Sequence, residues 1–326
     1  MEPIGGYFEW EFPERRKFAL HEGAVFLNSG RHSLEYILQG LGNVSMLWVP
    51  YFTCDAVFMP LNRLGIPYKF YHVNELLELG ESIELLQNEY LLYTNYFGVK
   101  DEYVCRLSSI YGERLIVDNA QAFFCPAQSG SHQIYSPRKY MGMPDGGIAV
   151  TTVAAYDDSL ELDVSFGRCA HLLKRLDMAP SDGYNDFKLA SKSIAESPLR
   201  QMSILSKKIL CSVDLKSVVN HRRENFEYLH SCLGESNRLE IPLVSSFACP
   251  MVYPYWTDDD NLRKRLIANS IFVATYWPNV LESCAENSLE FELAKHVIPI
   301  PCDQRYDIAD MKRILEVVGF PKIVNF

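Results

Sequence analysis

No CxxC pair occurs among the nine cysteines, and their odd number and scatter along the chain suit neither a zinc site nor a disulfide framework. Free thiols in a reducing cytoplasm fit better. No run of about eighteen apolar residues is present, so no transmembrane helix is expected. The opening MEPIGGYFEWEFPERRKF lacks a basic start followed by an apolar core, so no signal peptide is expected either. Positive charge is also scarce. A net charge of −10 gives no basic patch for nucleic acid. The short basic clusters Glu14-Arg15-Arg16-Lys17 and His221-Arg222-Arg223 read as solvated faces. Internal repeats and low-complexity tracts are missing too.

What is present is a globular chain with ample apolar content. With 326 residues, 48% of them hydrophobic, it suits one large domain plus a smaller one. The first half alternates short apolar runs with helical patterns. Residues 24–27, 46–49, 69–71, 90–93, 115–118 and 148–152 read as strands. Leu34, Ile37, Leu38 and Leu41 stand at helical spacing, and further helices are expected at 56–63 and 76–86. Strands separated by helices predict an α/β layer fold with a mainly parallel sheet. Ligands of such sheets sit beyond the carboxyl ends of the strands, where Asp118 falls.

Residues 155–205 are more polar, with an exposed loop expected from Pro180 to Asn185. Residues 206–233 read as one long helical stretch with Val218, Val219, Phe226 and Leu229 buried. CPMVYPYW and SIFVATYWP read as strands flanking a charged helix, and Asp307 as the cap of a last helix from Ile308 to Val318. This second β-α-β-α run predicts a large domain at 1–205 and a small C-terminal domain at 206–326.

The most informative pair is Asp118 in LIVDNAQA and Lys139 in SPRKYMGMPDGGIAV. Alone, Lys139 reads as a surface lysine and Asp118 as a strand-end turn residue. Together, a strand ending in Asp with Gln121 close behind and a lysine further on look like the core of a pyridoxal phosphate site. That cofactor needs a lysine amine to form a Schiff base with its aldehyde. It also needs a carboxylate to keep the pyridine nitrogen protonated, so that the ring can accept electrons.

Most of the chain resembles the DegT–StrS family of sugar aminotransferases. The likeness runs in order through LNSGRHSLEYIL, VPYFTCDAVFMPLNRLGIPYKFYHV, LIVDNAQA, RKYMGMPDGGIAV, RRENFEYL, LRKRLIANSIFVATYWP and HVIPIPCDQRY. The resemblance implies the fold type I, aspartate aminotransferase-like architecture and a pyridoxal 5'-phosphate cofactor. It makes Lys139 the catalytic lysine and proton carrier. Asp118 would pair with the pyridine nitrogen and Gln121 with the ring hydroxyl. Gly30, Arg31 and His32 would form the helix-start turn that holds the phosphate, where free amides and the helix dipole favour an anion. Ser136 would contact the phosphate, and Asn185 would reach the phosphate of a neighbouring subunit. The implied reaction moves an amino group from an amino acid, glutamate by expectation, to a keto sugar. The sugar would be nucleotide-linked, as in polysaccharide biosynthesis, and the protein a cytoplasmic homodimer.

The chain also departs from the family pattern. Cys54 stands where longer members place an aromatic residue on the cofactor ring, leaving Tyr51, Phe52, Tyr96 or Phe97 to supply the stacking. Ile134 stands where many members carry a serine, with Ser136 nearby. The residues after Gly183-Tyr184-Asn185 match poorly, and Arg138 beside the lysine is unusual. The departures at the stacking position and the serine leave a second reading, a non-catalytic ligand-binding or regulatory protein, and the cofactor itself permits a third, a pyridoxal phosphate enzyme of other outcome, such as a sugar dehydratase.

Overall fold

The computed structural model describes residues 7–13, 21, 23–153 and 160–320. The basic cluster at 14–17 lies outside them. Seven strands form the main sheet: β1 (Val25–Leu27), β2 (Met46–Pro50), β3 (Tyr68–Tyr71), β4 (Glu89–Thr94), β5 (Leu115–Asn119), β6 (His132–Tyr135) and β7 (Gly147–Val150). Their order is β1-β7-β6-β5-β4-β2-β3. The run from β3 to β6 is parallel, and β7 is antiparallel to both its neighbours.

The central strands read as near-continuous apolar runs because both faces of the sheet are covered. Leu91 and Tyr93 of β4, with Leu115 and Val117 of β5, enter one core cluster. Leu92 and Ile116, on the opposite face, enter another. There they meet Leu34, Ile37 and Leu38 of α1 (Gly30–Leu41) and Leu61 of α2 (Phe58–Leu64). Val104 and Leu107 of α3 (Asp101–Tyr111) cover the other face.

The rest of the described chain supplies α4 (Ala170–Asp177), α5 (Tyr184–Glu196), α6 (Ile204–Ser212) and α7 (Leu215–Leu233). Beyond these, β8 (Tyr253–Trp256) precedes α8 (Leu262–Ala268), α9 (Pro278–Ser283) and α10 (Leu289–His296). Then come β9 (Val297–Ile300), which pairs antiparallel with β8, and α11 (Ile308–Val318). Asp307 caps α11, as its sequence position predicts, and with Asp310 completes a capping box.

Several expectations are corrected. The helix expected at 76–86 does not form. Asn74 Oδ1 accepts the amides of Leu76 and Glu78 at 3.0 Å, Leu77 adopts a φ of 59°, and Gly80 donates to the His72 carbonyl at 2.8 Å. A side chain that captures backbone amides competes directly with the helix. The buried Glu290 carboxylate, which takes the Val73 amide at 3.0 Å, anchors the turn from a distance.

SIFVATYWP is not a strand. Ser270 and Trp277 have φ values of 61° and 58°, which an extended ladder does not accommodate, and β8 pairs with β9 instead. The stretch 206–233 is two helices, because Asp214 leaves the helical region and caps α7 by accepting the Ser217 amide at 3.0 Å. Val218, Phe226 and Leu229 are buried, whereas Val219 is half-buried at a cluster edge. Tyr184 and Asn185 belong to the first turn of α5 rather than to the loop before it. Arg222 is the sharpest departure. It lies on the inner face of α7 and is 2% exposed, not on a solvated face.

Candidate active site

A cavity of about 260 Å³ opens beyond the carboxyl ends of β4, β5 and β6. The period-2 alternation of a strand places its lining. Leu92, Ile116 and Ile134 share one sheet face. Two residues further along the chain, Thr94 and Asp118 at the strand ends and Ser136 just past β6 line the cavity. Thr94 pairs with Asp118 across the ladder, and Asp118 with Ile134.

Asp118 is buried. One carboxylate oxygen accepts the Ala120 amide at 2.8 Å. Burial pushes its pKa above the usual carboxylate range, while the Ala120 amide and the Lys139 charge pull it back. Gln121 is 3% exposed; its Oε1 accepts the Phe97 amide at 2.7 Å. Its Nε2 has no hydrogen-bond partner among the described residues. The approach is tight, because Gly98 has a φ of +73° and a Cβ there would lie 2.6 Å from the Gln121 carbonyl. Only glycine fits that position without moving the backbone.

Gly30 and Arg31 line the cavity from the first turn of α1. Ser29 caps this helix, its hydroxyl accepting the His32 amide at 3.3 Å. Gly147 of β7 lets the turn sit against the sheet, since a Cβ there would come within 2.1 Å of the Ser29 backbone. The His32 ring turns away from the cavity. Its Nδ1 lies 2.8 Å from the Ser29 hydroxyl and its Nε2 is 3.0 Å from the Ser197 carbonyl. Burial lowers its pKa to about 4; the Ser197 carbonyl opposes this, Arg63 and Arg31 reinforce it, and Asp163 opposes it.

Lys139 ends a short 3-10 turn, Pro137–Lys139, and reaches the cavity alongside Arg138. Tyr140 fixes that turn from behind. Its hydroxyl donates to the Gln121 carbonyl at 2.7 Å. The Arg222 guanidinium lies 4.3 Å from its ring centre, and Gln304 Nε2 donates to its carbonyl at 2.7 Å. Arg222 in turn donates to Gln304 Oε1 at 2.8 Å and to the Met251 carbonyl at 2.9 Å. Burial draws the Arg138 pKa down to about 10; Asp145 opposes the shift, and Arg31 and Arg168 add to it.

The structure thus brings Gly30, Arg31, Asp118, Gln121, Ser136 and Lys139 to one cavity. The His32 side chain and Asn185 are not part of the lining; Asn185 is exposed at the start of α5, whose Phe187 and Ser191 do line it. None of the four aromatic stacking candidates lines it either. Tyr51 stacks on Phe70 and His72, Phe52 on Tyr96, and Phe97 on Tyr276. Cys54 does line the cavity; burial raises its thiol pKa and the Lys139 charge opposes the rise.

Sequence reasoning missed Thr94, Ala120, Phe187, Ser191 and Trp277. Thr94 was reachable, being two residues past Leu92 at the end of a recognised strand. Trp277 carried no local signal.

A second cavity of about 920 Å³ meets the first at Arg138, Lys139 and Phe187. Its walls are mostly apolar, including Met141, Met143, Phe166, Leu172, Leu176 and Phe272. Arg175, Arg222 and Arg305 add positive charge, with Asp303 tied to Arg305 at 2.7 Å and 2.9 Å.

A mainly parallel seven-stranded sheet with a lysine facing a buried Asp–Gln pair at its carboxyl edge defines an α/β protein of the fold type I, aspartate aminotransferase-like class. No family model and no curated protein matches the sequence. Solved structures do share the fold. DesV of S. venezuelae, solved with a ketimine intermediate, is 19% identical with a TM-score of 0.60, covering 91% of this chain and 84% of that one. DesI, solved with its TDP-sugar product, is 16% identical with a TM-score of 0.64, covering 91% and 80%. A DegT DnrJ EryC1 StrS aminotransferase from Brucella abortus is 16% identical with a TM-score of 0.60, covering 91% and 85%. Among the described residues, no helix is long and apolar enough to cross a membrane.

Proposed function

We propose that this protein is a pyridoxal phosphate-dependent aminotransferase of the DegT–StrS type. It would transfer an amino group from an amino acid, glutamate in the simplest case, to a nucleotide-linked keto sugar. The observation that carries this reading is the buried Gln121 Nε2, without a partner among the described residues, beside the buried Asp118 carboxylate, in a cavity that Lys139 also lines. An unpartnered buried donor costs about 1–3 kcal/mol, and a ligand oxygen would relieve it. A buried carboxylate calls for a cationic partner. A pyridoxal ring carries both complements, a hydroxyl and a protonatable nitrogen, so the donor set fits the cofactor.

Bound there, pyridoxal phosphate would supply a reactive aldehyde and an electron-accepting ring. Asp118 would hold the proton on the pyridine nitrogen, and Gln121 Nε2 would donate to the ring hydroxyl. The Gly30–Arg31 turn, with the His32 position behind it, and Ser136 would hold the phosphate. Arg138 adds positive charge to the same cavity. Lys139 would carry the proton to and from the reacting substrate carbon. The larger cavity, which Lys139 also lines, would take the sugar substrate.

The same reading divides the chain into a large domain at 1–205 and a small one at 206–326, and makes it a cytoplasmic homodimer. Exposed apolar side chains on α4 and α5, among them Leu173, Leu176, Leu189 and Tyr184, support a partner subunit. Asn185 would then reach the partner's phosphate. The test is borohydride reduction of the protein with added pyridoxal phosphate, followed by peptide mapping. Label on Lys139, together with 2-oxoglutarate release from glutamate, supports the reading. Failure of the protein to take up the cofactor overturns it.

A further inference from the structure

We propose that Trp277 is the aromatic wall of the cofactor cavity, its indole lying against the planar ring that Asp118 and Gln121 would hold. The inference rests on the pyridoxal phosphate reading and extends it to a residue from the far end of the chain. The charged and amide groups of the cavity come from residues before 140, and the last lining residue before Trp277 is Ser191. A planar ligand anchored at its edge by a carboxylate and an amide still needs a flat apolar surface against its face. Cys54 is too small to provide one.

Trp277 is held as a wall would have to be. It is 7% exposed, and the buried Phe52 and Tyr96 meet its ring at 4.6 Å and 5.8 Å, inclined at 77° and 63°. These contacts pack the indole without covering it completely, since it still lines the cavity. Its backbone is left-handed, with φ 58° and ψ 69°, a costly conformation for a bulky residue. Such strain persists only where the surroundings over-determine it, and it clusters at ligand sites. Here Pro278 opens α9, the Val280 amide donates to the Trp277 carbonyl at 2.9 Å, and Asn279 Nδ2 donates to the Thr53 carbonyl at 3.0 Å. The last bond ties this turn to the residue just before Cys54. The segment that carries Trp277 is therefore docked onto the very loop whose own side chain leaves the ring face open.

The experiment compares the full-length protein with Trp277→Phe and Trp277→Gly, titrated with pyridoxal 5'-phosphate. Glycine accepts the left-handed backbone, so Trp277→Gly removes the ring without adding strain. In the unsubstituted protein, cofactor binding should quench part of the emission of the four tryptophans. Trp277→Phe should bind the cofactor within about threefold of that affinity yet lose most of the quenching, and Trp277→Gly should bind about tenfold more weakly. Unchanged affinity in a folded Trp277→Gly, or full quenching retained in Trp277→Phe, overturns the assignment. Should Trp277→Gly fail to fold, the quenching in Trp277→Phe decides alone. If the unsubstituted protein binds no cofactor, the functional reading itself fails; if it binds and the variants match it, only the role of Trp277 falls.

Discussion

The two cavities that meet at Lys139 are built on different principles. The smaller takes its polar groups from consecutive strand ends and from one helix start. The larger is mostly apolar and draws its walls from α4, α5, the 250–252 loop and the segment after β9. In the first, polar atoms are buried and some, Thr94 Oγ1 and Gln121 Nε2, lack partners among the described residues. In the second, Arg222 is engaged by neutral acceptors and the ring of Tyr140. The contrast teaches that local strand geometry can deliver chemical groups, whereas their rigidity is imposed by distant parts of the chain, Arg222 and Gln304. Substitutions in the first cavity should therefore damage chemistry more than folding, and those behind it the reverse.

The largest expected effect is at Lys139. Lys139→Ala should abolish cofactor labelling and transamination while leaving the melting temperature within a few degrees, because the side chain is exposed. Persistent turnover in this variant would break the site assignment. Next comes Asp118. Asp118→Asn should lower turnover by at least about 10²-fold, a loss of electrostatic support for the ring nitrogen. Its effect on the cofactor-free protein should have the opposite sign. The folded-state pKa of Asp118 is raised by burial, so the ionised group costs stability at neutral pH, and that cost falls as the pH drops through the raised pKa. A neutral amide removes the cost, so urea melts should show equal or higher stability. A large loss of stability would show that Asp118 is structural.

Arg222 tests the other side. Arg222→Ala should destabilise by about 3 kcal/mol, since it leaves the Gln304 and Met251 oxygens without their donor and strips support from Tyr140. Denaturant titration measures this, and cofactor affinity should change less than stability does. A variant of normal stability with lost cofactor binding would reverse the proposed division between the two cavities.

His32 gives a smaller, pH-dependent effect. Its pKa is about 4 when folded and 6.5 ordinarily, so the unfolded chain takes up a proton first as the pH falls. The contribution is full above pH 6.5, is lost between 6.5 and about 4, and is level below that. It amounts to roughly 3 kcal/mol at most. His32→Gln should flatten the stability–pH curve over that window, and an unchanged slope would assign the titration elsewhere.

The parallel strands were legible because burial on both faces writes continuous apolar runs, and Asp118 because it ends one of them. Gln121 and Lys139 followed from their order after that strand. The expected helix at 76–86 failed because Asn74 and the distant Glu290 hold its backbone amides in a turn, which apolar spacing does not report. Arg222 reads as part of a solvated cluster because the basic run is short and mixed with acids, and its neighbours His221 and Arg223 are more exposed than it is; only the docking of α7 onto Tyr140 and Gln304 shows it buried.

The amino-acid sequence by itself determined the layered α/β fold and the end of the sheet where the candidate cavity opens. Strand periodicity and helix caps are local, and local residues specify them. Tertiary structure alone decided that His32 faces away from the cavity and that Cys54 faces into it. It alone brought Trp277 against Phe52 and gave Lys139 its support from residues 222 and 304. Those outcomes depend on which surfaces meet after the segments pack, and no spacing within one segment records that meeting.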